Sequence, residues 1–354
     1  MQYLKYCYFT LNYLIIKRDK MKRRIIVTIL FMISASLIAS GIREDYRVLN
    51  VYSIIPLNIS QPIFDDFSKD CSIKVNIKKI SADKFSDMLK MEDSECWGDL
   101  IFGGPVTFYD QCSKYDVLYP CPLICSNRNL NSYESPEGFW AFLGINPAVF
   151  LSNKSFLDVK GIKAPTSWLD ILYPSYKDNI VLSDPRFYGN MEFIFSLTSI
   201  YGMNGEQKYQ EGIDDNIFCY ARRSDNVAQI VAEGQAGFTI TDLVEAISVA
   251  KSGYDVALSF PKEGVTYGVS CVGILKAGNN INNSKKFYKW MKSKEYQTSL
   301  KEHEIPYIPV DHIYNYENPY FDFSKVQLLD TKYSWKVATK YNYIDNMKVY
   351  TIKD

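Results

Sequence analysis

Several short stretches carry residue types suited to gripping a small polar solute. Arg222-Arg223-Ser224 stands before a helical stretch at 225–233, and two guanidiniums with a hydroxyl at a helix start suit a phosphate or carboxylate. A solvated basic turn explains them equally well. Thr241-Asp242 ends the apolar run Gly237-Phe-Thr-Ile-Thr241, and a hydroxyl beside a carboxylate suits sugar hydroxyls or an amine. Gly103 and Gly104 end another apolar run just before Pro105, where glycine lets a ligand approach backbone N–H groups closely. In Ser183-Asp184-Pro185-Arg186, followed by Gly189 and Asn190, a strand feeds a turn and a helix start. Backbone N–H groups at such a start point at whatever lies above the turn. Asp184 as a cap, with Arg186 paired to it, is the structural alternative.

Catalytic spacing is missing. The two histidines, His303 and His312, are nine apart, and no nucleophile elbow or phosphate-binding glycine motif occurs. An enzyme would have to work with carboxylates alone. Eight cysteines show no framework spacing, and Cys121 and Cys125 lack a second pair or a nearby His, so ordinary thiols are expected rather than a metal site. No cofactor is expected.

These residues need a scaffold. A chain of 354 residues, 47% of them hydrophobic and 23% charged, can bury a large core, and two lobes are expected. Met21-Lys-Arg-Arg24 followed by an apolar stretch at 25–39 has the outline of a secretory signal, which makes the product soluble and exported. The apolar stretch is short for a membrane anchor. Residues 1–40 hold seven of the 40 Lys and Arg but one of the 40 Asp and Glu. The remainder is therefore acidic and a poor nucleic-acid binder.

Apolar strands at 47–54, 73–80 and 99–102 alternate with helical patterns at 58–70 and 82–91, which points to a mostly parallel sheet covered by helices. A short helix and a buried strand at 179–182 follow within 165–182. Helices are expected near 190–201, 205–213, 224–234 and 242–251, with strands at 236–241 and 254–260, and two more helices at 283–293 and 294–301. Two long apolar runs, 138–151 and 266–276, suit two crossovers between lobes. That makes the first lobe discontinuous: 45–144 with 271–354, around a second lobe at 145–270.

Six motifs fall in one order: Trp97-Gly-Asp-Leu-Ile-Phe-Gly-Gly-Pro105, Gly138-Phe-Trp140, Pro165-Thr-Ser-Trp-Leu-Asp-Ile-Leu-Tyr-Pro-Ser-Tyr-Lys177, Ser183-Asp-Pro-Arg186, Phe260-Pro-Lys-Glu-Gly264 and Phe287-Tyr-Lys-Trp-Met291. In these the chain resembles the extracellular solute-binding proteins of ABC importers, in the group with ferric-iron, phosphonate and hexose-phosphate binders. The resemblance implies a type II periplasmic-binding-protein fold: two α/β lobes, a two-stranded hinge and a ligand in the central cleft. Hinge closure in such proteins is a stock example of domain motion. It also implies an anionic solute, a permease with its ATPase as partners, a monomer, and a periplasmic or otherwise extracytoplasmic location.

The resemblance adds Ser53, at the start of the first ligand loop, and Glu263 and Tyr267 near the return crossover. Trp140, with Phe139, suits stacking on a sugar face or core packing. The ferric branch carries paired tyrosines where Thr241-Asp242-Leu243-Val244 stands here, and no Tyr-Tyr dipeptide occurs among the 28 tyrosines. A ferric ion prefers anionic oxygen ligands, so this counts against iron. The hexose-phosphate pattern often has His before the Asp and an acid after Tyr267; Thr241 and Gly268 replace them.

Overall fold

The computed structural model describes residues 47–90, 98–121, 135, 137–184, 191–221, 227–307, 318–322 and 326–329. By contact the chain divides into Met1–Val48 and Leu49–Asp354, and the elements below belong to the second unit apart from the first residue of β1. The expected signal segment lies outside the described residues.

The first half alternates as expected. β1 (Val48–Ser53), α1 (Leu57–Cys71), β2 (Lys74–Lys79), α2 (Ala82–Lys90), β3 (Leu100–Pro105) and α3 (Val106–Lys114) follow one another. Ile59, Ile63, Phe64 and Phe67, at helical spacing in α1, are all fully buried. β4 (Trp140–Asn153) then leads into α4 (Lys154–Lys160), whose start is capped by Asn153 accepting from the Phe156 N–H at 2.9 Å. The next stretch forms two 3-10 turns, Asp170–Leu172 and Pro174–Tyr176, in place of the expected short helix. Pro174 lacks the N–H that would continue a helix.

β5 (Ile180–Ser183), α5 (Glu192–Ile213), β6 (Ile217–Ala221), α6 (Val227–Ala232), β7 (Phe238–Asp242), α7 (Leu243–Lys251), β8 (Val256–Ser259), β9 (Tyr267–Ile274), α8 (Ile281–Trp290) and α9 (Lys294–Glu302) complete the order. Gly202 inside α5 has φ +72°, so the element is two helical pieces, as the expected break between 201 and 205 requires. β6 was not expected: Phe218 is half exposed and its neighbours are partly buried, so the strand shows no clean alternation.

The strands form a nine-stranded sheet in the order β2-β1-β3-β9-β4-β7-β5-β6, with β8 also on β4. The expectation of a mostly parallel sheet needs correction at its centre. β1 pairs with β3, and β5 with β6 and β7, in parallel, but β4 and β9 run antiparallel to each other, β9 runs antiparallel to β3, and β4 antiparallel to β7. One strand carries the chain out and the other brings it back, so they must run in opposite senses. β4 pairs with β9 from Trp140 to Pro147 and with β7 from Ala148 to Ser152, and so belongs to both parallel sets. Ser270 lies opposite Pro105 on one side and Gly144 on the other, and the ladder is irregular at both places.

The core follows the same division. One cluster joins Leu49, Phe64, Phe102 and Phe287 with residues of β9. Two others lie on either face of the second parallel set, one around Phe150, Trp168 and Phe238, the other around Val149, Val181 and Val231. Helix α7 is shared. Its Leu243, Val244 and Ile247 pack in the first cluster, its Ala246 and Val249 in the third. Among the described residues no helix is long and apolar enough to cross a membrane.

Candidate functional site

In open α/β sheets, ligands sit beyond the carboxyl ends of the strands. Here those ends converge. Lys79, at the end of β2, donates to the Ile54 carbonyl in the loop after β1 at 2.6 Å, and its Nζ lies 3.9 Å from Glu245 in the first turn of α7, after β7. The loop after β1 and the helix after β7 are thus joined by one side chain, which puts the carboxyl ends of the two parallel sets opposite each other.

The helices that start there differ. α1 follows Pro56 and α3 follows Pro105; neither has a side-chain cap or an acid in its first turn. Their N–H ends therefore present uncompensated positive potential. α5 has Glu192 in its first turn, and α7 is capped by Asp242, which accepts from the Glu245 N–H at 3.0 Å. The first half offers open helix starts and the second half offers carboxylates.

Gly103 and Gly104 lie in the last turn of β3 with φ of +81° and +87°. A Cβ on Gly103 would sit 2.5 Å from Ile55 Cγ2, and one on Gly104 would sit 2.9 Å from Ile54 Cγ2. Both glycines are required by the backbone and by the loop packed against it. Tyr109 of α3, fully buried, holds this turn by hydrogen bonds of 2.7 Å to the Gly103 carbonyl and 2.8 Å to the Cys271 carbonyl. Burial pushes its phenol well above the ordinary range, so it stays a neutral donor.

Asp242 is half-buried. Burial raises its pKa, against the Glu245 N–H, the Asn146 side chain and Lys79, which lower it. The Asn146 Oδ1 accepts from the Val244 N–H at 3.1 Å. Thr241 is buried within β7, opposite Val149. Two residues expected at the ligand have structural partners. Ser53 is fully buried and donates to the Ile55 carbonyl at 2.7 Å, with Ser60 Oγ at 3.0 Å. Glu263 accepts from Ser167 Oγ and from the Trp168 N–H at 3.3 Å. Trp140 and Tyr267 both lie in the first core cluster, with the Trp140 ring 6.5 Å from Tyr109, which favours packing over stacking on a sugar. Arg186, Gly189, Asn190, Arg222, Arg223 and Ser224 lie outside the described residues, as do Cys125 and His312. Among the described residues no group of three or more His, Cys, Asp or Glu is placed to hold a metal ion.

Lys79, Asn146, Glu192 and Glu245 were not singled out by sequence. Lys79 closes β2, Asn146 lies inside β4, and Glu192 and Glu245 lie in the first turns of α5 and α7; an acid in a helix's first turn was the one available signal, for the last two.

This two-lobed α/β fold with two crossover strands is the type II periplasmic-binding-protein fold, shared with solved periplasmic binding proteins. Residues 107–333 match the family of bacterial extracellular solute-binding proteins, and the chain belongs to that family, the binding components of ABC importers. It is 22% identical over 277 residues to Iron uptake protein A1 of Synechocystis, covering 74% of this chain and 76% of that one. The periplasmic binding protein AfuA of Actinobacillus pleuropneumoniae, with fructose-6-phosphate bound, superposes with a TM-score of 0.69 at 21% identity, over 85% of this chain and 98% of that one. The Trichodesmium protein IdiA (FutA), in complex with iron and citrate, gives a TM-score of 0.56 at 20% identity, over 84% and 97%.

Proposed function

We propose that the protein captures a small organic anion outside the cytoplasm, a phosphorylated sugar or another organic phosphate or phosphonate. Closure of the two lobes would hold the solute and present it to an ABC permease driven by its ATPase. Export by the segment at 21–40 belongs to the same reading.

The observation that carries it is the contrast between the helix starts. α1 and α3 begin without side-chain caps or acids, which suits an anionic group. In the second half, Asp242 and Glu192 supply carboxylates at helix starts, which suit hydroxyl donors. A solute with a phosphate at one end and hydroxyls at the other meets both. Arg222, Arg223 and Asn190 are proposed to complete the anion grip.

Ferric iron is the second reading, favoured by the similarity to Iron uptake protein A1. Against it stands Thr241-Asp242-Leu243-Val244, with no paired tyrosines and with Asp242 engaged as a helix cap. A thermal-shift screen of the protein against fructose 6-phosphate, phosphonates, polyamines and ferric citrate tests the choice. Stabilisation by the sugar phosphate is expected; stabilisation by ferric citrate alone overturns the reading. Unchanged binding in a triple Arg222→Ala, Arg223→Ala, Asn190→Ala variant would remove the proposed grip.

A further inference from the structure

Asn58 stands in the first turn of α1, where an asparagine commonly serves its own helix as a cap. It does not do so here, since α1 has no side-chain cap. Its amide reaches instead to α7, 190 positions later in the chain. The Nδ2 group donates to the Ser248 carbonyl at 2.8 Å and to Ser252 Oγ at 3.1 Å, while Ser248 Oγ donates to Asn58 Oδ1 at 2.8 Å. Ser252 Oγ closes the ring by donating to the same Ser248 carbonyl at 2.9 Å. Both amide hydrogens and the amide oxygen are thus engaged on one turn of another helix.

This contact is the middle of a seam along α7. At the start of the helix, Lys79 Nζ lies 3.9 Å from Glu245. At its end, Lys251 Nζ donates to the His303 carbonyl and lies 3.9 Å from Glu304, and the His303 ring meets Asp66 of α1 at 2.9 Å. Beside these bonds Leu243, Val244 and Ile247 pack in the first core cluster. Ala246 and Val249 pack in the third, and the Val244 N–H donates to Asn146 of β4. Helix α7 is therefore a wedge with a side on each half, and Asp242 caps its tip. The ion pairs of the seam are partly exposed, and such pairs contribute little singly. Asn58 makes three directional hydrogen bonds, which fix orientation as well as distance.

We propose that Asn58 is a positioning residue of the solute site. Its amide holds α7, and with it Asp242, against the open start of α1, through a contact that lies outside the site. This rests on the binding role proposed above and adds a residue that sets affinity without touching solute. A solute that needs both sides together binds in proportion to the fraction of molecules already so arranged. The seam raises that fraction. Spending the amide on α7 also leaves the α1 N–H groups open to the anion.

The test compares the wild-type protein with Asn58→Ala, Ser248→Ala, the double variant and Gln61→Ala. Gln61 donates to Asp65 at 2.8 Å within α1, so its variant removes a side-chain bond that does not cross to α7. Small-angle scattering of the ligand-free proteins reads the seam, and calorimetric titration with fructose 6-phosphate reads the site. Asn58→Ala is expected to have a larger radius of gyration and to bind roughly fivefold to tenfold more weakly. The double variant is expected to be no weaker than Asn58→Ala, because the two residues share one contact. Gln61→Ala is expected to match wild type in both measurements. If Asn58→Ala melts earlier but keeps the wild-type radius and affinity, its bonds are structural only and the proposal fails. Tighter binding would mean that the seam holds the two sides apart, which also overturns it. A wild type that does not bind fructose 6-phosphate overturns the sugar-phosphate reading; the radius of gyration then supports the seam if it rises in Asn58→Ala and ends it if it does not.

Discussion

Trp168 and Gly264 are joined by a hydrogen bond of 2.9 Å from the indole Nε1 to the Gly264 carbonyl oxygen, across 96 positions of chain. The bond belongs to a clasp. Lys262 N–H donates to the Thr166 carbonyl at 2.9 Å, Ser259 Oγ donates to the Pro165 carbonyl at 2.7 Å, and Glu263 receives Ser167 Oγ and the Trp168 N–H. Two of the six motifs are thus two sides of one structural joint. The same joint continues into the C-terminal part, where Val265 N–H donates to the Gln327 carbonyl at 2.9 Å and Leu329 N–H to the Val265 carbonyl at 2.8 Å.

Glu263 is therefore expected to matter for stability and little for the solute. Glu263→Ala leaves the Ser167 hydroxyl and the Trp168 N–H without their acceptor, at a cost of about 1–3 kcal/mol. Glu263→Gln keeps an acceptor and is expected to lose less than half of that. Urea denaturation gives the first quantity. Affinity for fructose 6-phosphate within twofold of wild type in Glu263→Gln checks the second, and a larger loss would return Glu263 to the ligand site.

The glycine turn after β3 allows backbone strain and packing to be separated. Gly103→Ala forces an alanine to φ +81° with its Cβ 2.5 Å from Ile55 Cγ2. Gly161, the residue after α4, has φ +66° with nothing within 4 Å of the same position. Alanine at 161 is expected to cost about 1 kcal/mol for the backbone alone. At 103 it is expected to cost about 2–4 kcal/mol, because the loop carrying Ile55 must move as well. Denaturation midpoints of the two variants at equal m-value make the comparison.

The sequence signals that worked were local ones. Apolar spacing in α1 marked residues that are all buried, and the glycine pair marked a strand end whose backbone admits little else. β6 was invisible because an edge strand with Phe218 half exposed has no period to read. Site contacts were harder, since their partners are distant in sequence. Glu192 meets Gly268 and Thr266 across 76 and 74 positions, and Lys79 meets Glu245 across a longer span; neither end carries a mark of the other. Glu263 shows the same difficulty. Its partner Ser167 Oγ stands 96 positions earlier, and nothing in the sequence beside Glu263 announces it.

Glu206 gives the second half a dependence on pH. It is buried in the later part of α5, its Oε1 has no hydrogen-bond partner, and burial raises its pKa to about 7 against a small lowering by Gln210. A carboxyl whose folded pKa lies above its unfolded value binds its proton more tightly in the native state. Its contribution is fully present below about pH 4.5 and is lost as pH rises through about 7. Glu206→Gln is expected to abolish this component and to stabilise the protein at pH 8 by about 1–2 kcal/mol relative to wild type, with little difference at pH 4.5. Thermal melts across that range, wild type against variant, are the measurement. A constant difference between the two proteins at all pH values would remove Glu206 as the source.

Asp242 has two possible duties, and substitution separates them. As the cap of α7 it accepts from the Glu245 N–H, and asparagine can accept the same bond through its side-chain oxygen. Asp242→Asn is therefore expected to keep the helix start and change stability by less than about 0.5 kcal/mol, whereas Asp242→Ala removes the cap at a cost of about 1–2 kcal/mol. The ledger for the solute runs differently. If the carboxylate also receives hydroxyls of a sugar phosphate, the asparagine variant loses a charge-assisted bond and binds fructose 6-phosphate roughly tenfold more weakly, although it is as stable as wild type. Wild-type affinity in Asp242→Asn, together with lower stability in Asp242→Ala, would leave Asp242 as a cap alone.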